Sequence, residues 1–141
     1  MKKDVLVSIS GLQYEIDKDE AVEVISVGEY FNKNEKHYIL YEEILEDYEG
    51  TTNCTIKMFD KQIDIIKRGA TNVHMIFEEN KKNTTFYYTP YGDLQVGIFT
   101  NKINITEEEN KIIADISYGL DINCAFVSEC QIQIKVTSKK V

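Results

Sequence analysis

Apolar and polar residues alternate at every second position through much of this chain, and that period leaves few folds open to it. Near the end, Cys130, Ile132, Ile134 and Val136 fall on one side of an extended backbone and Gln131, Gln133 and Lys135 on the other. Ile112, Ala114, Ile116 and Tyr118 repeat the pattern, as do Leu94, Val96 and Ile98. Earlier rows are Val5, Val7 and Ile9; Thr52, Cys54, Ile56 and Met58; Ile63 and Ile65; and Val73, Met75 and Phe77. Each is the mark of a strand with one face on a core and the other in water. Composition agrees, since Ile, Val and Thr number 39 while Ala and Leu number 10, an excess of β-branched over helix-forming residues.

Turn signals separate the rows: Asp17 to Glu20, Asn32 to Asn34, Phe59 to Lys61, Arg68-Gly69, Glu79 to Asn83, Tyr91 to Asp93, Glu107 to Asn110 and Asp121 to Asn123. The single proline, Pro90, takes the second position of Thr89-Pro90-Tyr91-Gly92 and reads as a hairpin tip. Tyr41 to Tyr48 reads as a strand followed by a loop. Connections this short cannot carry crossover helices, so the strands pair antiparallel. A sheet of this size curls or splits into layers, and closure removes its exposed edges. The sequence therefore predicts one all-β domain over residues 1–141, an antiparallel up-and-down barrel of about eight to ten strands, with a sandwich as the alternative.

The net charge of −8 is concentrated early: residues 1–50 hold 13 acids and 5 lysines, and residues 51–141 hold 11 of each sign. One arginine, Arg68, and a pI near 4.8 leave no basic footprint, so neither a nucleic acid nor an anionic membrane is expected as partner. The start, Met1-Lys2-Lys3-Asp4 and onward, imitates a signal peptide, but Asp4 interrupts it and no small-x-small site follows. A cytoplasmic location is the expectation, and on it the sequons at Asn53, Asn83 and Asn104 are chance matches. Cys54, Cys124 and Cys130 form no Cys-x-x-Cys pair, and the acidic runs around Asp17 and Glu42 lack an alternating Asp/Asn loop with its glycine. Reduced core cysteines and solvated acids account for both, and no metal or cofactor is expected.

A set of short patterns carries a resemblance: Tyr38-Ile39-Leu40-Tyr41-Glu42-Glu43, Thr55-Ile56-Lys57, Ile65-Ile66-Lys67-Arg68-Gly69, Tyr88-Thr89-Pro90-Tyr91-Gly92-Asp93-Leu94 with Thr100, and Ile116-Ser117-Tyr118. In that order and spacing the chain resembles the YwiB-like family of small bacterial proteins, from about Val5 to Val136. The resemblance implies a calycin-like barrel related to lipocalins and fatty-acid-binding proteins, and it brings no established activity or catalytic residue. The early Gly-x-Trp of better-known calycins has no counterpart, and Gln131-Ile132-Gln133 stands in place of the late Arg-x-Tyr.

The candidate ligand-binding residues are Arg68, Lys67, Tyr38, Tyr88 and Tyr118. A guanidinium beside a lysine suits a carboxylate or phosphate at a barrel mouth, and tyrosines give an apolar wall with hydroxyl handles. If Ile63 and Ile65 face inward, parity turns Lys67 inward and Arg68 outward, unless Gly69 marks a bulge. Surface ion pairs and cross-strand aromatic pairs are the ordinary explanations of the same residues. His37 and His74 stand in no catalytic motif. The first reading is a non-enzymatic barrel holding a small apolar or amphipathic ligand in its interior, as monomer or homodimer. The second is a protein-interaction module using its acidic N-terminal third, and the third is an enzyme.

Overall fold

The computed structural model describes residues 3–11, 23–44, 51–69, 72–89 and 92–139, with backbone alone at 23–24, 44 and 87–89. The described residues form ten strands and no helix, and none is long and apolar enough to cross a membrane as a helix. In chain order the strands are β1 (Asp4–Ser10), β2 (Glu23–Lys33), β3 (Lys36–Ile44), β4 (Thr51–Phe59), β5 (Gln62–Gly69), β6 (Val73–Glu78), β7 (Lys82–Thr89), β8 (Gly92–Glu108), β9 (Lys111–Ile122) and β10 (Ala125–Ser138). Their order across the sheet is β6-β5-β4-β3-β2-β1-β10-β9-β8-β7, with every described pairing antiparallel. The first and last strands pair, Val7 opposite Val136 and Ile9 opposite Ile134. The result is a nearly closed all-β barrel, as the alternation predicts.

The barrel's seam lies in mid-chain, between β6 and β7, where no ladder forms among the described residues. Its cause is an irregularity in β8. Between Thr100 and Lys102 the register with β9 shifts, leaving Asn101 as an extra residue. The β6–β7 turn docks on that irregularity: Asn80 N–H donates to the Thr100 carbonyl at 2.8 Å, Thr100 N–H to the Lys81 carbonyl at 3.2 Å, and Ile103 N–H to the Glu79 carboxylate at 3.0 Å. The turn is fastened to β8 and does not continue the ladder of β6. On its other side β7 is tied outward, because Lys82 reaches over Gly97 to the Asp121 carboxylate at 2.7 Å.

The inward rows read from the sequence form the core. Ile39, Ile56, Met58, Ile63, Ile65, Phe77, Ile98, Ile116, Ile132 and Ile134 are inaccessible or nearly so. Phe77 and Tyr118 meet edge to face within the core, ring centroids 5.2 Å apart. One end is clasped by polar groups. His37 Nε2 donates to the Glu107 carboxylate at 2.5 Å, and the Tyr30 hydroxyl and His37 Nδ1 share a hydrogen bond at 2.5 Å, joining β2 and β3 to β8. Lys61 Nζ adds a bond to the Ile103 carbonyl at 3.2 Å. Glu43 lies on the same strand as His37, six residues on, so its surroundings are the opposite end, about 20 Å away.

The hairpin tip expected at Pro90 and Tyr91 lies outside the described residues, flanked by the pair Thr89 and Gly92. The expected strand from Tyr41 runs to Ile44, and the loop expected after it lies outside the described residues, as does most of the acidic sequence around Asp17 and Glu46.

Candidate functional site

Among the described residues, one place with room for a ligand lies in the barrel wall. The end of β5, the start of β6 and the middle of β7 bound a cleft of about 510 Å³ at the unpaired seam. Ile66, Val73 and Phe86 supply apolar surface; Lys67, Arg68 and His74 supply nitrogen donors. Phe86 is an exposed aromatic on the strand that ends the sheet.

Each donor is placed by parity. Lys67 pairs with Cys54 across β4 and β5 and points inward with Ile63 and Ile65. It is buried at 5% exposure, its Nζ 3.0 Å from the Glu43 carboxylate. Thr52 and Cys54 complete this polar end of the core, both buried. Burial pushes the Cys54 thiol's pKa up; the Lys67 ammonium lowers it, Glu43 raises it, and a hydrogen bond with Tyr41 lowers it. The net direction is upward, so the sulfur stays a protonated thiol at neutral pH.

Arg68 points outward and is exposed, with no ion pair among the described residues. Gly69 takes φ of +134°, a conformation that suits glycine alone, and its N–H and carbonyl are bracketed by the Asn72 side chain at 3.2 Å each. That bracket fixes the turn from which Arg68 and His74 emerge. His74 Nε2 lies 3.2 Å from the Asp64 carboxylate, which Gln62 also holds at 2.9 Å.

Beside the cleft, the inward faces of β7 and β8 carry polar side chains. Asn83 and Thr85 occupy the inward positions of β7, opposite Ile98 and Val96, and Thr100 occupies one on β8. Asn83 Nδ2 and Thr100 Oγ1 are buried without a hydrogen-bond partner. Sequence reasoning missed this pair, because Asn83 reads there as a turn residue and a sequon.

Of the residues singled out from the sequence, Lys67 and Arg68 are brought together at the cleft, one in its inner wall and one on its rim. Tyr38 lies elsewhere, on the outer face of β3, opposite Phe31 and beneath Lys57 Nζ at 5.8 Å. Tyr118 is a core residue at 3% exposure. The backbone of Tyr88 pairs with Asp93, and its side chain lies outside the described residues. Among the described residues no group of three His, Cys, Asp or Glu side chains gathers as a metal site.

A family model described as a domain of unknown function, DUF1934, matches residues 7–134. The chain belongs to that family. Membership agrees with the YwiB-like resemblance of the sequence. Among solved structures, the ywiB protein from Bacillus subtilis is similar at a TM-score of 0.79, covering 98% of this chain and 93% of that one. At 19% identity the likeness is one of fold. No curated protein matches the chain.

Proposed function

We propose that this DUF1934 barrel binds a small, partly apolar molecule at the β6–β7 seam, with a polar acceptor group of the ligand directed inward. The observation that carries the reading is the pair of unmet polar atoms on β7 and β8, Asn83 Nδ2 and Thr100 Oγ1, Asn83 being the chain neighbour of the lining residue Thr84. The register makes them diagonal neighbours on one face, backbones about 7 Å apart. Leaving a buried polar group unmet costs about 1–3 kcal/mol, so two together favour an acceptor arriving from outside the chain. Ile66, Val73 and Phe86 suit the apolar part of such a molecule, and Arg68 on the rim suits an anionic or strongly polar end. The reading requires no catalytic residue, and the buried, protonated Cys54 is not poised as a nucleophile.

A fluorescent naphthalene sulfonate, an amphipathic anion, serves as the probe. Saturable one-to-one binding is expected, weakened about tenfold by Arg68→Ala, the loss of one charge-assisted contact. Thr100→Val should weaken it as well while leaving the fold intact. Absence of saturable binding, together with a native mass spectrum of the bare chain alone, would refute the reading.

A further inference from the structure

Five of the eight large apolar side chains exposed among the described residues lie on the outer face of β1, β2 and β3. On β2 the outward positions hold Ile25, Val27 and Phe31, at 64%, 60% and 40% exposure, with Glu29 among them, while the inward positions hold Ser26, Gly28 and the buried Tyr30. Over Ile25 to Gly28 a one-residue slip would bring the apolar side chains inward, at the cost of turning Tyr30 out and Glu29 in. Inside there is no room for them: a Cβ on Gly28 would stand 2.7 Å from the Leu40 carbonyl and 3.2 Å from Val7. The apolar residues are held outside by the packing of their neighbours.

They are not scattered. Leu6 pairs directly with Val27, Ile25 lies two pairs further along, opposite Ser8, and Leu40 sits opposite Glu29 on the adjoining strand. Leu6, Ile25, Val27, Phe31 and Leu40 together expose on the order of 400 Å² of apolar surface, the size of the largest patch on a typical monomer, which is often functional. With a polar rim of equal extent this reaches the ~800 Å² that each partner commits to a stable interface.

We infer that this face is the interface of a symmetric homodimer. The surface complements itself. Leu6 and Ile25 stand beside a groove of about 570 Å³ whose floor and walls include Val27, Leu40 and Thr55. A two-fold axis running along β2 sets the projecting side chains of each copy over the groove of the other, both contacts being made twice. The charges agree with that arrangement. Lys135, opposite Ser8, flanks the patch on the β10 side, and Glu42 flanks the groove on the β3 side, while Glu29 on β2 is paired with Lys3 of the same chain at 3.6 Å. The same axis lays each basic side against the other copy's acidic side.

Light scattering on the eluted full chain at about 100 μM, a concentration at which interfaces of this size associate, should give twice the 16.3 kDa chain mass. Val27→Lys, which brings two like charges to the axis, should return the single-chain mass with an unchanged β-sheet circular dichroism spectrum. Phe126→Lys, at an exposed position outside the patch, should leave the dimer intact. Because a substitution can unfold the chain, Val27→Cys in a Cys124→Ser background supplies a second readout: air oxidation should yield a disulfide-linked dimer in high yield. A wild-type chain of single mass overturns the inference, and so does a dimer that persists in a folded Val27→Lys variant. A Val27→Cys variant that fails to cross-link while still dimeric overturns it too.

Discussion

The Lys67 and Glu43 pair offers the sharpest stability test, because its two members sit on different sides of the line between a surface ion pair and a buried one. Exposed pairs contribute about 0–1 kcal/mol, whereas removing one partner of a buried pair costs about 3–5 kcal/mol by stranding the other charge. Lys67 is at 5% exposure and Glu43 at 20%, with 3.0 Å between Nζ and Oε2. The ammonium is the deeper group, so the substitution to make is Glu43→Gln. It preserves size and an acceptor oxygen but removes the carboxylate charge 3.0 Å from Lys67. The wetter carboxylate places the expected loss at the low end of the buried range, about 3 kcal/mol. For a chain of this length that corresponds to a fall of roughly 10 °C in Tm. Urea unfolding monitored by far-ultraviolet circular dichroism measures it, with the slope m unchanged if the fold is retained.

The double variant Lys67→Met with Glu43→Leu sharpens the test. Replacing both charges with apolar groups of similar volume is often neutral or stabilising, so most of the 3 kcal/mol should return. A loss under about 1 kcal/mol in Glu43→Gln would mean that water screens the pair as it does a surface one, and the account of a buried polar end to the core would fall.

At Asn34 and Glu35 both φ angles are positive, 54° and 66°, the two-residue hairpin turn that favours Asn-Gly. Glu35→Gly should therefore stabilise by about 1 kcal/mol, read as a rise in the urea midpoint. Gly28→Ala should destabilise by about 2 kcal/mol, since its Cβ would press on the Leu40 carbonyl, and a neutral outcome in the same assay would contradict the packing described for β2. His37→Phe removes two hydrogen bonds of the end clasp and should cost about 2 kcal/mol, with faster amide exchange at the β2–β3 turn and unchanged exchange in β9. Cys54 holds its proton to higher pH in the folded chain than in the unfolded one, whose thiol titrates near 9.0. Stability should fall as pH rises above about 9, where the unfolded chain ionises first, and Cys54→Ala should flatten that decline in a series of melts.

Which parts of this fold can be read from the residues follows from where a side chain's own chemistry decides its neighbours. On β4, β5, β6, β9 and β10 the large apolar residues recur at period two and fall inward, so strand, face and the inward turn of Lys67 all follow from parity. On β2 and β7 the alternation does not carry the answer. The inward residues of β2 include Ser26 and Gly28, chosen by the bulk of Val7 and Tyr41 on the flanking strands, and no pattern within β2 records that. On β7 the polar residues Asn83, Thr84 and Thr85 occupy both faces, so the segment reads as a turn although it pairs along its length with β8. The seam is less legible still, because it depends on one extra residue in β8, Asn101, whose displacement lets a turn some twenty residues earlier dock there. Cross-strand demands of this kind leave their trace as a local failure of the pattern. The two strands where the alternation fails are the ones that carry the proposed dimer face and the proposed ligand cleft, which is where a chain that must do more than fold is free to depart from the residues that folding alone would select.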